Sequence, residues 1–534
     1  MNLIHDLWIP VRRQSGITDL IRPAQIVEAA DPPLALASPR ADFDGSLAQF
    51  LIGLLQTCMP PKDGDEWEDR LERPPTVGEL DRIFSPYAHA FEVDGDGPRF
   101  MQDFEAFERL EVSRRKPAMS DIDALLIDAP GAQTLRNNAD HFIKRGQVQA
   151  LCPVCAVTAL FTLQLNAPSG GAGHRTSLRG GGPLTTLVIP DPEGGGLPDT
   201  LWNRVWLNIL PRTVRLAGNA ALEGLEYIFP WLAATRTSEK EGGLDTTPQD
   251  AHPYQMYWAM PRRIRLDFEY TGEGGCDLCA RESHKLIRRY FTLNYGINYV
   301  GAWRHPLSPY QENDGEPVPL HPQAGGITYR HWLGLVYDKD DGKQRVSPAT
   351  VVKEFRQNRR LEGEQLRLWA FGYDMDNMKP RCWYEAVIPL YQIPASIREI
   401  FSRRVEQLVT AAETVAGYLK TQVKKAWFKR PGDAKGDVGF LADAFFQATE
   451  EDFYATLKRL ADTLPSDDEP VRRDWHVILR RSALSLFDEY AAAGDITFAD
   501  PARLARARND LEKKLKNSKL RGILALSTAK ENAA

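Results

Sequence analysis

The sequence lacks the features of exported and membrane-bound proteins. Only six cysteines occur among 534 residues. The first ten residues contain neither a basic segment nor a long apolar stretch, so we expect no signal peptide. The most apolar run, residues 150–165, is too short and too interrupted by polar residues to span a bilayer. Together with cysteines of reduced character, these absences predict a cytoplasmic protein with no membrane partner.

Catalytic motifs and a basic net charge are also missing. The sequence contains no G-x-S-x-G, H-E-x-x-H, protein-kinase or P-loop motif, and its histidines are scattered. No carboxylate cluster of the kind that a metal-dependent nuclease needs is evident. The net charge of −6 argues against coating nucleic acid by bulk charge, although it permits local basic tracks. A non-catalytic protein is favoured, and a metal-dependent nucleic-acid-processing enzyme is the alternative.

Two regions of different texture make up the chain, which is too long for one hydrophobic core. Residues 1–384 read as an irregular α+β domain in which short strands and helices alternate with Pro, Gly and Asp. Strands are predicted at 183–190, 264–270 and 331–337, and helices at 47–55, 154–165 and 201–209. Residues 385–534 read as a four-helix bundle. Its first helix has a narrow apolar seam: Phe401, Val405, Leu408, Ala412, Val415, Leu419 and Val423.

The exposed side of that first bundle helix is basic near its end. Lys420, Lys424 and Lys425 lie there, and Lys420 and Lys424 repel each other across one helical turn. A polyanion or a partner protein would relieve this repulsion. A solvated face is an equally open interpretation, because acidic residues are interleaved nearer the start of the helix.

Four of the six cysteines form two C-x-x-C pairs: Cys152 with Cys155, and Cys276 with Cys279. Two thiolates from each tight turn would complete the tetrahedral shell of a structural zinc ion, Zn²⁺, and would leave no open position for catalysis. Separate functions for the two pairs, and disulfides, are the alternatives. Cys58 and Cys382 are isolated among apolar residues, and we expect both to be plain buried thiols.

A glycine-rich stretch, residues 167–183, follows the first cysteine pair. Its side chains are minimal at Ser169, Gly170, Gly171, Ala172 and Gly173. Such a backbone can approach a narrow surface, for example the minor groove of duplex DNA, which larger side chains would hold off. A flexible surface turn is the alternative. A zinc ion bound just before this stretch would hold one end of it rigid.

These motifs together resemble a known family. They are Leu151-Cys-Pro-Val-Cys155, the stretch 167–183, Cys276-Asp-Leu-Cys279 and Trp303-Arg-His-Pro-Leu-Ser-Pro309. In this order they are similar to the large subunit, CasA, of the type I-E CRISPR Cascade complex. The resemblance implies a non-catalytic subunit that recognises the protospacer-adjacent motif (PAM) in double-stranded target DNA and helps to open the duplex for R-loop formation. It also implies recruitment of a helicase–nuclease effector for antiviral defence. The implied partners are the backbone, small and guide-handle subunits of Cascade and the CRISPR guide RNA.

The resemblance also assigns roles to residues. The family's glycine loop, which enters the PAM minor groove, falls on residues 169–173. Its minor-groove lysine falls on Asn294, which keeps a hydrogen-bond donor but loses the positive charge; Arg288 and Arg289 are nearby substitutes. The family's duplex-opening wedge falls on a turn with Asn377 at its tip.

Two further groups of residues complete the carry-over. In the wedge, Met375 or Met378 would insert between bases. The family's docking loop, which contacts the guide RNA and neighbouring subunits, falls on residues 138–146, with these candidate contacts: His141, Phe142, Lys144 and Arg145. A plain surface loop is the alternative for this segment.

Overall fold

The computed structural model describes residues 1–107, 117–131, 136, 146–171, 173–194, 196–269, 271–312, 316–340, 342, 344–357, 361, 364–433, 436–492 and 500–527. The chain divides into two compact units. The first contains residues 1–323 and 340–387, and the second contains residues 324–339 and 388–534. The domain bounds expected from the sequence, 1–384 and 385–534, remain a prediction.

Helices and strands are mixed along the first unit, as expected for an α+β fold. Its described helices are α1 (Ala41–Cys58), α2 (Gly64–Glu72), α3 (Val77–Phe84), α4 (Pro153–Asn166), α5 (Leu201–Trp206) and α6 (Thr350–Gln357). The chain's described strands are β1 (Ile9–Arg13), β2 (Thr18–Ile21), β3 (Pro33–Leu36), β4 (Ala118–Asp121), β5 (Thr185–Pro190), β6 (Asp245–Thr246), β7 (Arg263–Leu266), β8 (Thr271–Gly275), β9 (Glu282–Ile287), β10 (Arg289–Leu293), β11 (Asn298–Tyr299), β12 (Tyr310–Glu312), β13 (Val318–Pro319), β14 (Lys339–Asp340), β15 (Arg345–Ser347), β16 (Leu366–Asp376) and β17 (Lys379–Leu390).

Three small sheets of the first unit carry the candidate site. One has the order β4-β10-β7, a second is the β8-β9 hairpin, and a third has the order β17-β16-β5. In the third sheet β16 runs antiparallel to β5, with Trp369 opposite Leu187. β16 and β17 are consecutive in the chain, so they form a hairpin that starts from a buried strand.

The core of the first unit is aromatic. Helix α1 is buried on every side, and Phe50 at its centre meets five rings edge to face: Trp8, Phe91, Phe100, Phe161 and Trp258. Helix α4 packs beside α1, and the Thr162 hydroxyl donates to the Ser46 hydroxyl at 2.9 Å. Such edge-to-face pairs add about 0.5–1.5 kcal/mol each to the burial of the rings. The core therefore fixes α4, which leads into the glycine-rich stretch.

The second unit is helical where it is described after residue 397. Its helices are α7 (Arg398–Trp427), α8 (Phe440–Ala448), α9 (Glu450–Thr463), α10 (Glu469–Ala492), α11 (Pro501–Leu515) and α12 (Ser518–Ile523). Helix α7 contacts the other five. All seven residues of the predicted seam of α7 have no exposed surface. Among the described residues, no helix combines the length and the apolar character that crossing a bilayer requires.

Three local predictions were wrong. Residues 331–337 form an irregular turn rather than a strand, with Gly334 at φ +93°, and belong to the second unit. The strand predicted at 264–270 ends at Leu266, and the four residues of β7 are all buried. Cys382 is exposed rather than buried, because it lies on the edge strand β17.

Candidate functional site

The structure brings the four predicted metal-binding cysteines together. Their Sγ atoms all lie within 4.8 Å of one another, and Cys152 Sγ lies 3.7 Å from Cys279 Sγ. A regular tetrahedron with metal–sulfur bonds of about 2.3 Å has edges of about 3.8 Å. All six cysteines are free thiols, so the disulfide alternative does not apply. The donor set and its spacing are compatible with one structural zinc ion.

Local structure explains why each cysteine pair points inward. Cys152 precedes α4, Pro153 occupies the first helical position, and the Cys155 amide approaches Cys152 Sγ at 3.5 Å. The second pair lies in the turn of the β8-β9 hairpin, which closes through Ala280 at φ +57°. Asp277 joins the two turns, since its carboxylate accepts from the amides of residues 149 and 150 at 2.6 and 2.8 Å. These bonds assemble the ligand geometry from two distant segments.

Hydrogen bonds among the four cysteines raise the pKa of some thiols and lower the pKa of others. Bonds from Cys152 and Cys155 hold the pKa of Cys276 well below its ordinary range. A bond from Cys155 lowers the pKa of Cys279 to about 6, whereas the pKa of Cys155 itself is raised by its bonds to the other three. All four sulfurs can be thiolates together only if a cation neutralises them, and soft thiolates suit zinc.

The glycine loop, defined as residues 169–173, presents nearly bare backbone. Ser169, Gly170 and Gly171 are exposed, and Ala172 lies outside the described residues. Gly171 has φ +94° and Gly173 has φ +81°, values that favour glycine. A Cβ on Gly171 would meet no atom within 4 Å, so its missing side chain leaves a free approach to the backbone.

Residues distant in sequence hold the glycine loop from below. Arg262 is buried and donates to the Pro168 carbonyl, and its Nη1 atom lies 2.9 Å from the position of a Cβ on Gly170. Arg175 donates to the Ser238 hydroxyl at 2.7 Å and to the Ser238 carbonyl at 2.9 Å. The loop is therefore anchored by arginines, and the predicted flexible-turn alternative loses support.

Asn294 lies directly beside the glycine loop. The Tyr295 amide donates to the Gly173 carbonyl at 2.7 Å, and a Cβ on Gly173 would lie 2.8 Å from the Asn294 Cβ. The Asn294 side chain is exposed. Of the two suggested substitutes for a lysine, Arg289 already pairs with Asp267 at 2.5 Å, and Arg288 is partly buried.

The proposed wedge is the two-residue turn of the β16-β17 hairpin. Asn377 has φ +48° and Met378 has φ +63°, which is the pattern of the tight hairpin turn that asparagine favours. Met378 is 51% exposed, whereas Met375 is only partly exposed. The Met375 methyl lies 2.9 Å from the position of a Cβ on Gly182, at the end of the glycine-rich stretch. The hairpin and that stretch therefore touch.

The cysteine cluster and the glycine loop lie at opposite ends of shared elements. Helix α4 begins after Cys152 and has 14 residues, which corresponds to about 21 Å. Strands β9 and β10 lead from Cys279 to Asn294. The two segments are joined at the cysteines and again where Gly173 meets Tyr295. The cluster is therefore connected to the loop by the helix and the strands and is not its direct neighbour.

Other candidate residues are separate from this group. His141, Phe142, Lys144 and Arg145 lie outside the described residues. In the second unit Lys420 and Lys425 are exposed, and Lys424 is partly exposed on the same end of α7. The sequence did not single out Arg262, Ser238 or Tyr295 as supports of the loop. Nothing local marks them, because their role arises from tertiary contacts.

The comparisons with known proteins agree with the predicted family. The family model of CRISPR-associated protein Cse1 (CRISPR_cse1) matches residues 2–486. CasA of Thermus thermophilus is 16% identical, with 98% of this chain and 99% of that chain covered and a TM-score of 0.67. Cse1 of Thermobifida fusca is 15% identical, with 99% of both chains covered and a TM-score of 0.68.

A third similar structure is a chain of a "CRISPR RNA-guided surveillance complex", which is 15% identical, with 97% of this chain and 99% of that chain covered and a TM-score of 0.65. At these identities the structural likeness shows a shared fold, whereas the family model spans nearly the whole sequence. The chain belongs to the CRISPR-associated protein Cse1 family, the large subunit (CasA) of type I-E Cascade.

Proposed function

We propose that this chain recognises the PAM of double-stranded target DNA within an RNA-guided Cascade complex and helps to open the duplex beside it. It does so without catalysis, and it recruits a helicase–nuclease effector for antiviral defence. Its partners are the guide RNA and the backbone, small and guide-handle subunits of the complex. Family membership supports the large-subunit role, and the surveillance-complex structure of similar fold is consistent with it.

The exposed, side-chain-free backbone beside Asn294 is the observation that carries PAM recognition. The minor groove is about 6 Å wide and presents mainly acceptors. Gly171 has open space around its Cα, so its peptide groups can enter such a groove. The Asn294 amide can donate to purine N3 or pyrimidine O2 atoms at the groove floor. Arg262 and Arg175 fix the loop in advance, which lowers the entropy lost on binding.

The hairpin turn supports a role in opening the duplex. Met378 is the exposed apolar residue at its tip, so we assign base-step insertion to Met378 and a supporting role to Met375. Asn377 would contact the separated base pair. Exchange of a DNA duplex for an RNA–DNA duplex is nearly balanced in free energy. A wedge that lowers the free-energy barrier for unstacking the first base pair therefore has a large effect on the rate of duplex opening.

The remaining candidate residues receive supporting roles in this proposal. A zinc ion held by the four cysteines joins α4 to the β8-β9 hairpin and has no open position for chemistry. His141, Phe142, Lys144 and Arg145 contact the guide RNA and neighbouring subunits. The basic face of α7, formed by Lys420, Lys424 and Lys425, contacts nucleic acid or a partner protein.

Reconstitution of Cascade with and without this chain tests the proposal. Target binding is measured on duplexes that differ only at the PAM, and discrimination should require the chain. Gly171→Ala should reduce PAM-dependent binding about tenfold or more, because a side chain then stands between backbone and groove. Gly16→Ala is a matched control, since Gly16 has φ +87° and equally open surroundings.

Two results would contradict the proposal. One is equal discrimination by the Gly171→Ala and Gly16→Ala complexes. The other is degradation of DNA by the chain alone with magnesium or manganese, which would indicate the enzyme alternative.

A further inference from the structure

An aromatic platform lies at one end of the second unit. It consists of Trp427, Phe428, Phe440 and Tyr490, where α7 and α10 end and α8 begins. Phe428 is 41% exposed and Phe440 is 46% exposed. The Phe440 ring lies 6.3 Å from the Trp427 ring at an interplanar angle of 20°, and 5.7 Å from the Tyr490 ring. Exposed rings are therefore supported by two partly buried ones.

Hydrogen bonds fix the supporting rings to the helix ends. The Trp427 indole donates to the Tyr490 carbonyl, in the last turn of α10, at 3.0 Å. The Arg503 guanidinium donates to the Ala426 carbonyl at 2.8 Å at the end of α7. The platform is consequently a rigid surface, and a ligand that stacks on it does not have to order it first.

Basic residues flank Trp427 and Phe428 of the platform in the sequence. Five basic residues and one acidic residue occur over 420–433: Lys420, Lys424, Lys425, Lys429, Arg430 and Asp433. Two carboxylates near the platform are already engaged, since Asp488 pairs with Arg508 at 2.6 Å and Asp500 with Arg503 at 3.9 Å, and Glu489 beside Tyr490 offsets one of the positive charges. Within the part of the chain that is described, the five basic side chains form no ion pair.

Stabilisation of α7 explains only part of this charge. Lys424 and Lys425 lie in the last turn of α7, where they complement the helix dipole. Lys429 and Arg430 lie beyond the end of the helix, and Lys420 lies a turn earlier, where the dipole effect has faded. The surplus charge is therefore available to attract an anionic ligand.

The ligand must offer flat apolar faces together with repeated negative charge. In a nucleic-acid duplex the base faces are stacked on one another and are unavailable. In a single strand the faces are free, and stacking on aromatic side chains contributes about 1–3 kcal/mol per base. We propose that the aromatic platform binds single-stranded nucleic acid, with bases stacked on Phe428 and Phe440 and phosphates held by the surrounding lysines and Arg430. This site does not depend on PAM recognition.

Fluorescence anisotropy of the purified full chain with labelled dT20 and rU20 oligonucleotides tests the proposal. Phe440→Leu keeps an apolar side chain at the start of α8 but removes the ring, and it should weaken binding about fivefold or more. Phe440→Trp keeps a ring and should bind at least as tightly as the wild type. The double variant K424Q/K425Q should make the dependence of log K on log salt shallower by about 0.7 per charge removed.

Control variants separate the platform from general effects. Val477→Ala changes another exposed apolar side chain of the same unit, and Lys458→Gln removes another exposed lysine of the same unit. Neither should alter single-strand affinity. Single-strand affinity is measured on the chain alone, whereas PAM recognition is measured on duplexes with reconstituted Cascade, so failure here and failure of PAM recognition are distinguishable. The dT20 and rU20 arms show which strand type binds more tightly.

Three results would overturn the proposal. The first is unchanged affinity in Phe440→Leu while circular dichroism shows a folded chain. The second is equally tight binding of a blunt duplex that lacks a PAM, because a duplex offers no free base faces. The third is competition by an acidic aromatic peptide but not by unlabelled dT20, which would make the platform a protein-docking site.

Discussion

Removal of the zinc ion proposed to cross-link the four cysteines should destabilise the helix and strands that connect the cysteines to the glycine loop. Cys152 and Cys279 are separated by 127 residues, and their Sγ atoms lie 3.7 Å apart. A cross-link that closes a loop of this length lowers the entropy of the unfolded chain by an amount worth about 5 kcal/mol at 25 °C. Cys279→Ser, or chelation, should therefore lower the free energy of unfolding by up to about 5 kcal/mol.

The assay combines urea unfolding with hydrogen exchange. Peptides covering α4 and strands β9 and β10 should lose protection, because these elements connect the cysteine cluster to the loop. Cys382→Ser is the matched control: it removes an exposed thiol outside the cluster and should change stability by less than about 0.5 kcal/mol. The reasoning is refuted if Cys279→Ser matches Cys382→Ser, or if metal analysis finds no zinc in the purified chain.

Three further predictions concern single residues. Asn377→Gly should keep the hairpin, since glycine also adopts positive φ, but should slow duplex opening because the amide is lost; permanganate footprinting beside the PAM measures this. Tyr329→Phe removes the 2.8 Å hydrogen bond to Thr449 and should lower the free energy of unfolding by about 1 kcal/mol in urea. Burial lowers the pKa of His331 to about 4, below about 6.5 in the unfolded chain, so the second unit should lose up to about 3 kcal/mol as pH falls from 6.5 to 4. His331→Gln should flatten that pH dependence.

Each of the three has a contradicting result. Unchanged footprinting in Asn377→Gly would remove the amide from duplex opening. A Tyr329→Phe chain as stable as the wild type would mean that the Thr449 hydroxyl does not need the Tyr329 hydroxyl as a partner. Identical pH profiles for His331→Gln and the wild type would assign acid lability to other groups.

Local periodicity and chemistry carried the correct sequence predictions. The seam of α7 was predictable because residues at steps of three and four share one helix face, and all seven are buried. Helix α11 shows the same local control: Pro501 occupies its first turn, and the Asp500 carboxylate accepts from the amides of residues 502 and 503. The cysteine pairs were predictable because their spacing reflects ligand geometry.

Tertiary contacts produced the failures. Apolar and polar residues alternate over 264–270, which suggests one solvent-facing side, but Arg265 is buried and donates to the Asp103 carbonyl at 3.0 Å, so a charged residue lies where solvent was expected. Residues 331–337 have the apolar composition of a buried strand, but they are apolar because Trp332 and its neighbours pack in the core of the second unit as an irregular turn. Tyr329, stacked on Phe453 at 4.2 Å, anchors the same segment.

The residues that hold the glycine loop could not be predicted from the sequence for a related reason. Arg262 and Ser238 lie more than 60 residues from the atoms that they hold. A single sequence offers no pattern that links such positions. The loop itself was predictable because the absence of side chains is a local property.

Minor-groove recognition by the glycine loop is most directly tested with chemically altered PAM duplexes. One set changes only the minor groove, by replacing guanine with inosine to remove the N2 amine, and the other changes only the major groove, by adding C5-methyl groups to cytosine. Binding by reconstituted Cascade should change with the first set and stay constant with the second. Sensitivity to the methyl groups together with indifference to inosine would contradict the proposed function.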